Sequence, residues 1–441
     1  MIVVLGGGPA GRLASIRLAE GKKQVTLIEH GGIGGQCLHS GCMPVCAMND
    51  VARLIRSARE MKDLGIIDTV PAADFPVLLR EMGTIQQKIA SILDKETREA
   101  GVDIIYGKCG KFAGGRPWAG DEALDAEAVI LATGSRPVVP AIPGAGLPGV
   151  FTPRTLPGMK KIPDRLVIIG GSVVAAEFAY IFSTFGCDVT ILSRSTFLKD
   201  TDNHLRALAI RELGGVMIRE NTPVSSVQGK DQVESVVTAA GEAIPADAVL
   251  VAAGLVPNSE SLEGMKKGPI GEIVVDNRMR TSIPGVYACG DLVGPPYLTP
   301  VARHQGIVAA DNILGIPRTM DYLTIPRSIS LTHELAYCIN KTTGMGSIVF
   351  PGPAGPGSFW SVPTGQTGLS KVIFDPETGN LSGFCAAGPG GGLIAGYMAF
   401  LMKKHFSVHD FEEFIEVHPS TDGLYSLVKY ASWVTKKRNA P

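Results

Sequence analysis

The sequence predicts an α/β chain with two parallel-sheet nucleotide-type domains and a closing α+β domain. Two observations carry that expectation. A strand, a glycine-rich loop and a helix follow one another twice, starting at Ile2 and at Leu166. After Pro326 the pattern turns to the period-two alternation of an antiparallel sheet. At 441 residues the chain also exceeds one ordinary core, which sets a prior of about three domains. The divisions fall at 1–150 (completed by 281–320), 151–280 and 321–441.

Ile2-Val3-Val4-Leu5 is an apolar run of strand length. Gly6-Gly7-Gly8-Pro9-Ala10-Gly11 follows, then a helical stretch from Arg12 to Glu20 and a second strand, Val25 to Ile28, ending at Glu29. Gly6, Gly8 and Gly11 stand at dinucleotide-loop spacing, with an acid about 20 residues on. Gly6 permits a tight turn, Gly8 lets backbone approach a pyrophosphate, and Gly11 lets helix and strand pack closely. The helix N-terminus turns unpaired N–H groups and partial positive charge toward phosphate. Glu29 would accept hydrogen bonds from ribose hydroxyls.

The unit returns at Leu166 to Ile169, followed by Gly170-Gly171-Ser172-Val173-Val174-Ala175-Ala176-Glu177, a helix and a strand from Val189 to Leu192. Here Ser172 and Ala175 replace the second and third glycines. Each copy has a later strand entering a small-residue turn. These are Ala128–Leu131 into Ala132-Thr133-Gly134, and Ala248–Val251 into Ala252-Ala253-Gly254. Two Rossmann-like domains are expected.

Residues 48–100 read as a helical hairpin broken near Pro71-Ala72-Ala73, and Pro137–Pro140 with Pro143–Gly149 marks a linker. A strand at 286–289 ends on Gly290-Asp291 and leads into a helix. In the last third, strands are expected at 328–332, 346–350, 369–374 and 381–386, with Pro351–Gly357 a surface loop.

Hydrophobic residues make up 45% of the chain and charged residues 19%, a globular composition. The net charge of −1 gives no electrostatic footprint for nucleic acid. No apolar run approaches the ~20 residues that span a bilayer, so no membrane partner is expected. The run at Met1–Leu5 lacks a basic leader and is read as a strand. Of eight cysteines only Cys37, Cys42 and Cys46 cluster. Cys109, Cys187, Cys289, Cys338 and Cys385 stand alone and read as buried small hydrophobes. One dedicated thiol cluster in an otherwise disulfide-poor chain suits a reducing, cytoplasmic setting.

Cys37 and Cys42 lie five apart, straight after Gly34-Gly35. That spacing permits a disulfide across roughly one helical turn. The same residues leave a metal reading open, in which Cys37, His39, Cys42 and Cys46 ligate a soft ion.

Taken in order, these motifs resemble the class I pyridine nucleotide–disulfide oxidoreductases: dihydrolipoamide dehydrogenase, glutathione reductase, mercuric reductase and relatives. The resemblance rests on the first glycine loop, Gly35-Gln36-Cys37 through Cys42-Met43-Pro44, Ala132-Thr133-Gly134, the second loop ending in Glu177, Gly290-Asp291, and His418-Pro419-Ser420. It implies an FAD domain, an NAD(P)H domain and a C-terminal dimerisation domain. Gly6, Gly8, Pro9, Ala10, Gly11 and Glu29 would hold the ADP part of FAD, with Gly35, Gln36, Ala132, Thr133, Gly134 and Ala302 completing the site and Asp291 on the ribityl chain. Cys42 would be the thiol beside the flavin and Cys37 the interchange thiol. His418 would be the acid–base group, reaching the active site of the partner subunit in a homodimer. Gly170, Ser172, Ala175 and Glu177 would line the nicotinamide nucleotide site. The implied activity carries electrons between nicotinamide, FAD, a Cys37–Cys42 disulfide and a small or carrier-bound thiol. Two alternatives accompany it. One is a mercuric-type metal-ion reductase, against which Val434–Pro441 lacks paired cysteines. The other is a degenerate electron-transfer subunit.

Three positions depart from the family. Cys46 replaces a lysine whose partner acid corresponds to Glu177, leaving a third thiol that is either a tolerated small residue or a second relay. The histidine-orienting glutamate falls on Gly423, with Asp422 one residue early, as substitute or as helix N-cap. The acid after the second nucleotide strand becomes Ser193-Arg194, which suits a 2′-phosphate and favours NADP(H) over NAD(H).

Overall fold

The computed structural model describes residues 1–340, 348–355, 359–360, 362–363, 365 and 367–438. Its α-helices are, in chain order, α1 (Pro9–Glu20), α2 (Gly35–His39), α3 (Cys42–Asp63), α4 (Phe75–Glu99), α5 (Val173–Thr184), α6 (Asn203–Glu212), α7 (Thr299–Ile313), α8 (Gly391–Lys403) and α9 (Gly423–Arg438). Among the described residues no helix is long and apolar enough to cross a membrane. The chain forms two compact units. The first comprises 1–48, 72–170 and 222–321, and the second 49–71, 171–221 and 322–441.

In the first unit a five-stranded parallel sheet runs in the order Val286–Ala288, Ala128–Leu131, Ile2–Leu5, Val25–Glu29, Val102–Tyr106. Ile2–Leu5 is central and buried along its whole length, as expected of an uninterrupted apolar strand covered on both faces. Leu5 lies level with Ile28 and Leu131. The loops that follow these strands therefore leave one edge of the sheet, where open parallel sheets bind ligands. Beneath them Val3, Leu5, Ile28, Phe112, Leu131 and Leu292 share one core cluster. Helix α1 starts at Pro9, ahead of the expected Arg12, because proline at the first helical position gives up no needed N–H. A second parallel set in this unit joins Val150–Phe151, Ala248–Val251 and Arg165–Ile169.

In the second unit Asp188–Leu192 pairs in parallel with Met217–Arg219. An antiparallel sheet has the order Arg327–Ser330, Glu334–Ile339, Leu381–Gly388, Leu369–Phe374, Ile348–Gly352. Cys338, Phe374 and Phe384 from this sheet pack with Met398 of α8 and with Leu424 and Val428 of α9.

Three details differ from the sequence reading. Glu334–Ile339 was not expected as a strand; Leu335–Cys338 are all buried, so no alternation marks it. Pro351 and Gly352 end a strand instead of opening a loop, at the sheet's edge, where a missing N–H is tolerated. Ala354, in the expected surface loop, is fully buried, and its carbonyl accepts the Gly423 N–H at 3.0 Å. Positions 346–347 of the expected strand and 356–357 of the expected loop lie outside the described residues.

Candidate functional site

The first glycine loop is built to exclude side chains. Gly6 has φ +106°, and a Cβ there would sit 2.3 Å from the Ala132 carbonyl oxygen; one on Gly11 would sit 2.0 Å from the Gly6 oxygen. The Gly7 N–H donates to Glu29 Oε2 at 2.6 Å and the Gly31 N–H to Oε1 at 2.7 Å. Glu29 is thereby held at the sheet edge beside the loop. The Gly34 N–H donates to the Gly7 carbonyl at 2.9 Å, and a Cβ on Gly35 would lie 2.7 Å from Gly8 Cα. Helix α2, which carries Cys37, is pinned to the glycine loop in this way.

Two polar groups complete this edge. Asp291 accepts the Ser135 hydroxyl at 2.7 Å, and burial raises its carboxyl above the usual range. Gln36 Oε1 is buried without a hydrogen-bond partner among the described residues. Thr133 donates to the Asn258 carbonyl at 2.7 Å, and Ala302 is buried on α7. A loop with no room for side chains, a carboxylate fixed beside it, an orphaned amide oxygen and a buried aspartate at a neighbouring strand end fit FAD. The diphosphate would lie on Gly6–Gly11, a ribose at Glu29 and the ribityl chain at Asp291.

Cys37 and Cys42 do not share one helix. Cys37 is in α2, the chain turns at Ser40–Gly41, and α3 begins at Cys42. All eight cysteines are thiols. Cys42 Sγ lies 3.6 Å from Oγ1 of Thr299, the first residue of α7. A hydrogen bond from Cys42 lowers the Cys37 thiol to about 6; burial opposes this, the Thr299 hydroxyl and the Arg303 guanidinium reinforce it, and Cys46 works against it. The same hydrogen bond raises Cys42, which is itself exposed. The pair thus releases one proton readily and keeps the second. Cys46, one turn further along α3, is exposed.

Thr299, Arg303 and Ser135 were not anticipated. Their one signal was proximity in sequence to Ala302 and Gly134, which the family motifs do mark. His39 turns Nε2 to the Ile33 carbonyl at 3.1 Å. Among the described residues no three His, Cys, Asp or Glu side chains are grouped to hold a metal, so Cys37, His39, Cys42 and Cys46 do not form a ligand set. Cys187, Cys289, Cys338 and Cys385 are buried as expected, but Cys109 is exposed, 3.3 Å from His30 Nδ1. It lies in the turn beyond the strand Val102–Tyr106 and so escapes the core.

At the second loop a Cβ on Gly170 would meet the Ala252 oxygen at 2.2 Å. Ser172 precedes α5, and Ala175 is buried within it. In the second unit the position of a Cβ on Gly171 lies 2.1 Å from Ser193 Oγ, so the Ser193 hydroxyl rests on the loop. Ser193 is 2% exposed, whereas Arg194 is open to solvent. Glu177 Oε1 accepts the main-chain N–H of Ser330 at 3.0 Å. Asn49 and Arg53 of α3 hold the Ser330 hydroxyl at 2.8 and 3.0 Å.

His418 Nδ1 lies 2.6 Å from Asp422 Oδ2, with the ring mostly exposed and the carboxylate mostly buried. At Gly423 a Cβ would fall 2.3 Å from the Pro353 carbonyl oxygen. No glutamate fits there. The carboxylate that reaches the histidine is the one immediately before the helix.

A fixed acid beside a side-chain-free glycine loop, a thiol pair pinned to that loop and a second nucleotide loop define a flavin-dependent disulfide oxidoreductase. Residues 1–306 match the pyridine nucleotide-disulphide oxidoreductase family, and the chain belongs to it. It is 28% identical over 447 residues to dihydrolipoyl dehydrogenase of Bacillus subtilis, covering 95% of each chain. It is 32% identical over 351 residues to that of Chlamydia muridarum, covering 76% of this chain and 74% of the relative. LpdA from Mycobacterium tuberculosis superposes with TM-score 0.87 at 24% identity, over 98% of this chain and 99% of that one. The HOCl-induced flavoprotein disulfide reductase RclA from Escherichia coli gives 0.85 at 24% identity, over 97% and 100%. The fold is the expected one, two Rossmann-like domains with a C-terminal α+β domain of the family's dimerisation type.

Proposed function

We propose that this protein carries electrons between NADP(H) and a small or carrier-bound thiol–disulfide couple through Cys37 and Cys42, as a cytoplasmic FAD-containing homodimer. Carrier-bound lipoamide is one candidate, since relatives are dihydrolipoyl dehydrogenases. The three-part division at 1–150 with 281–320, 151–280 and 321–441 belongs to the same proposal. The carrying observation is the split thiol pair, with Cys37 lowered to about 6 and Cys42 raised. A free cysteine near 8.5 is only a few per cent thiolate at neutral pH, so Cys37 is set apart as the nucleophile.

Bound FAD supplies two-electron transfer between nicotinamide and the sulfur pair. In the reducing direction Cys37 thiolate attacks one sulfur of the substrate disulfide. That S–S bond breaks, a mixed disulfide forms, and the first product thiolate takes a proton from the partner subunit's His418, which Asp422 orients. Cys42, giving up its proton, then attacks Cys37 Sγ. The mixed disulfide breaks, the second thiol leaves with the proton given up by Cys42, and the two electrons now reside on the product thiols, leaving Cys37 and Cys42 oxidised to a disulfide. In the opposite direction a dithiol is oxidised. Ser193 and Arg194 would receive the 2′-phosphate of NADP(H) near a loop of Gly170, Ser172 and Ala175.

Cys46 is proposed as a resolving thiol. Side chains four apart on a helix have Cβ atoms about 5–6 Å apart, against about 3.5–4.5 Å in a disulfide. Exchange between Cys46 and Cys42 therefore requires the first turn of α3 to open. Unchanged turnover of Cys46→Ser with every disulfide tried removes that role.

The function is tested by anaerobic titration of the yellow protein with NADPH, followed by thiol counting and a disulfide screen. Two new thiols at Cys37 and Cys42 and turnover of at least one disulfide are expected. Reduction of the flavin without new thiols there would sink the reading.

A further inference from the structure

Arg303 stands four residues after Thr299 on α7, so the two share a helix face. Thr299 Oγ1 lies 3.6 Å from Cys42 Sγ, and the Arg303 charge acts on Cys37. The groups that act on Cys37 are Cys42 and Cys46 from α3 and Thr299 and Arg303 from α7; in that set Arg303 supplies the only positive charge. The guanidinium is exposed, and among the described residues no carboxylate pairs with it. An exposed cation that shares a helix face with the hydroxyl touching the thiol pair attracts anions as well as supporting the thiolate.

We propose that Arg303 receives an anionic group of the substrate, so that the disulfides served by Cys37 bear a carboxylate or phosphate near sulfur. This rests on the proposed role of Cys37 as the thiol that meets substrate, and it adds the substrate's chemical class. A charge pair at about 4 Å in water is worth about fivefold in binding, and more as water is displaced. A merely solvated arginine would give no such preference.

The test uses the FAD-loaded protein with 3,3′-dithiodipropionate and its neutral diamide, which share one carbon skeleton and one S–S bond. The ratio of their kcat/KM values is compared between the unaltered protein, Arg303→Gln and Arg303→Lys. Any change in Cys37 nucleophilicity affects both disulfides and cancels in the ratio. The ratio should fall about fivefold or more in Arg303→Gln, stay near its original value in Arg303→Lys, and shrink in high salt for the unaltered protein. Bound-flavin absorbance reports that each variant is folded. An equal ratio in the unaltered protein and Arg303→Gln overturns the inference alone. Turnover of neither disulfide also overturns the inference, and the role of Cys37 falls with it only if NADPH fails to expose new thiols at Cys37 and Cys42.

Discussion

Removing Cys42 tests the origin of the reactive thiolate. In Cys42→Ala the hydrogen bond that does most to lower Cys37 is gone, and the Cys37 thiol should move from about 6 back toward 9.0. Lowering the proton affinity means thiolate is present above the midpoint and lost below it, so the variant needs higher pH to react. At pH 7 the thiolate fraction would drop from about 90% to about 1% if the whole effect were lost. The rate does not fall in proportion. A more basic thiolate is a better nucleophile, and a Brønsted slope of about 0.4–0.5 returns roughly 20-fold. The net loss at pH 7 is therefore only about fourfold, whereas at pH 5 it reaches about 40-fold.

The decisive quantity is accordingly the midpoint of the pH profile. It is measured by following iodoacetamide alkylation of Cys37, by peptide mass, in the reduced protein and the variant. Thr299 and Arg303 still act on Cys37 in Cys42→Ala, so the midpoint should settle between 6 and 9.0. A midpoint unmoved from about 6 would refute the assignment of the hydrogen bond as the leading cause.

Asp422→Asn should cost at least about tenfold in disulfide turnover, because the 2.6 Å contact to His418 Nδ1 fixes which ring nitrogen carries the proton. An unchanged pH–rate profile would reduce Asp422 to a helix-start residue. Arg194→Ala should lower kcat/KM for NADPH about tenfold and leave that for NADH within about twofold. A preference for NADH in the unaltered protein would overturn the cofactor assignment. Gly423→Ala should destabilise the fold by about 1–3 kcal/mol in urea, since its Cβ would press on the Pro353 carbonyl at 2.3 Å. Unaltered stability would show that this backbone yields easily.

The glycine loops, Glu29, Asp291 and the cysteine pair were readable because each requirement is local. A Cβ 2.0–2.3 Å from a carbonyl oxygen forbids any residue but glycine at Gly6 and Gly11, whatever surrounds them. Thr299 and Arg303 left no comparable mark. Thr299 meets Cys42 257 residues away in sequence, and nothing in the pattern of α7 separates an arginine whose charge acts on a thiol from any other solvated one. Glu334–Ile339 escaped for a different reason: covered on both faces, it lost the alternation by which a half-exposed strand is recognised.

Where the chain departs from its family, the structure gives different physical accounts. At Gly423 the cause is steric: the segment Pro353–Gly355 packs against the start of α9, and its carbonyls occupy the space a side chain needs. A carboxylate displaced by one residue still reaches the imidazole, because Asp422 lies just before the helix, four residues from His418. At Glu177 the main chain supplies a partner. Glu177 accepts a backbone N–H from Ser330, a donor that carries no titratable charge and that no side-chain substitution short of proline removes. Near the thiols a positive charge comes from Arg303, on a helix of the same unit. Restoring lysine at Cys46 while removing Arg303 therefore exchanges one cation for another on a different helix. If position 46 suffices, Cys37 stays a thiolate near pH 6 in the double variant; if the location on α7 matters, its midpoint rises.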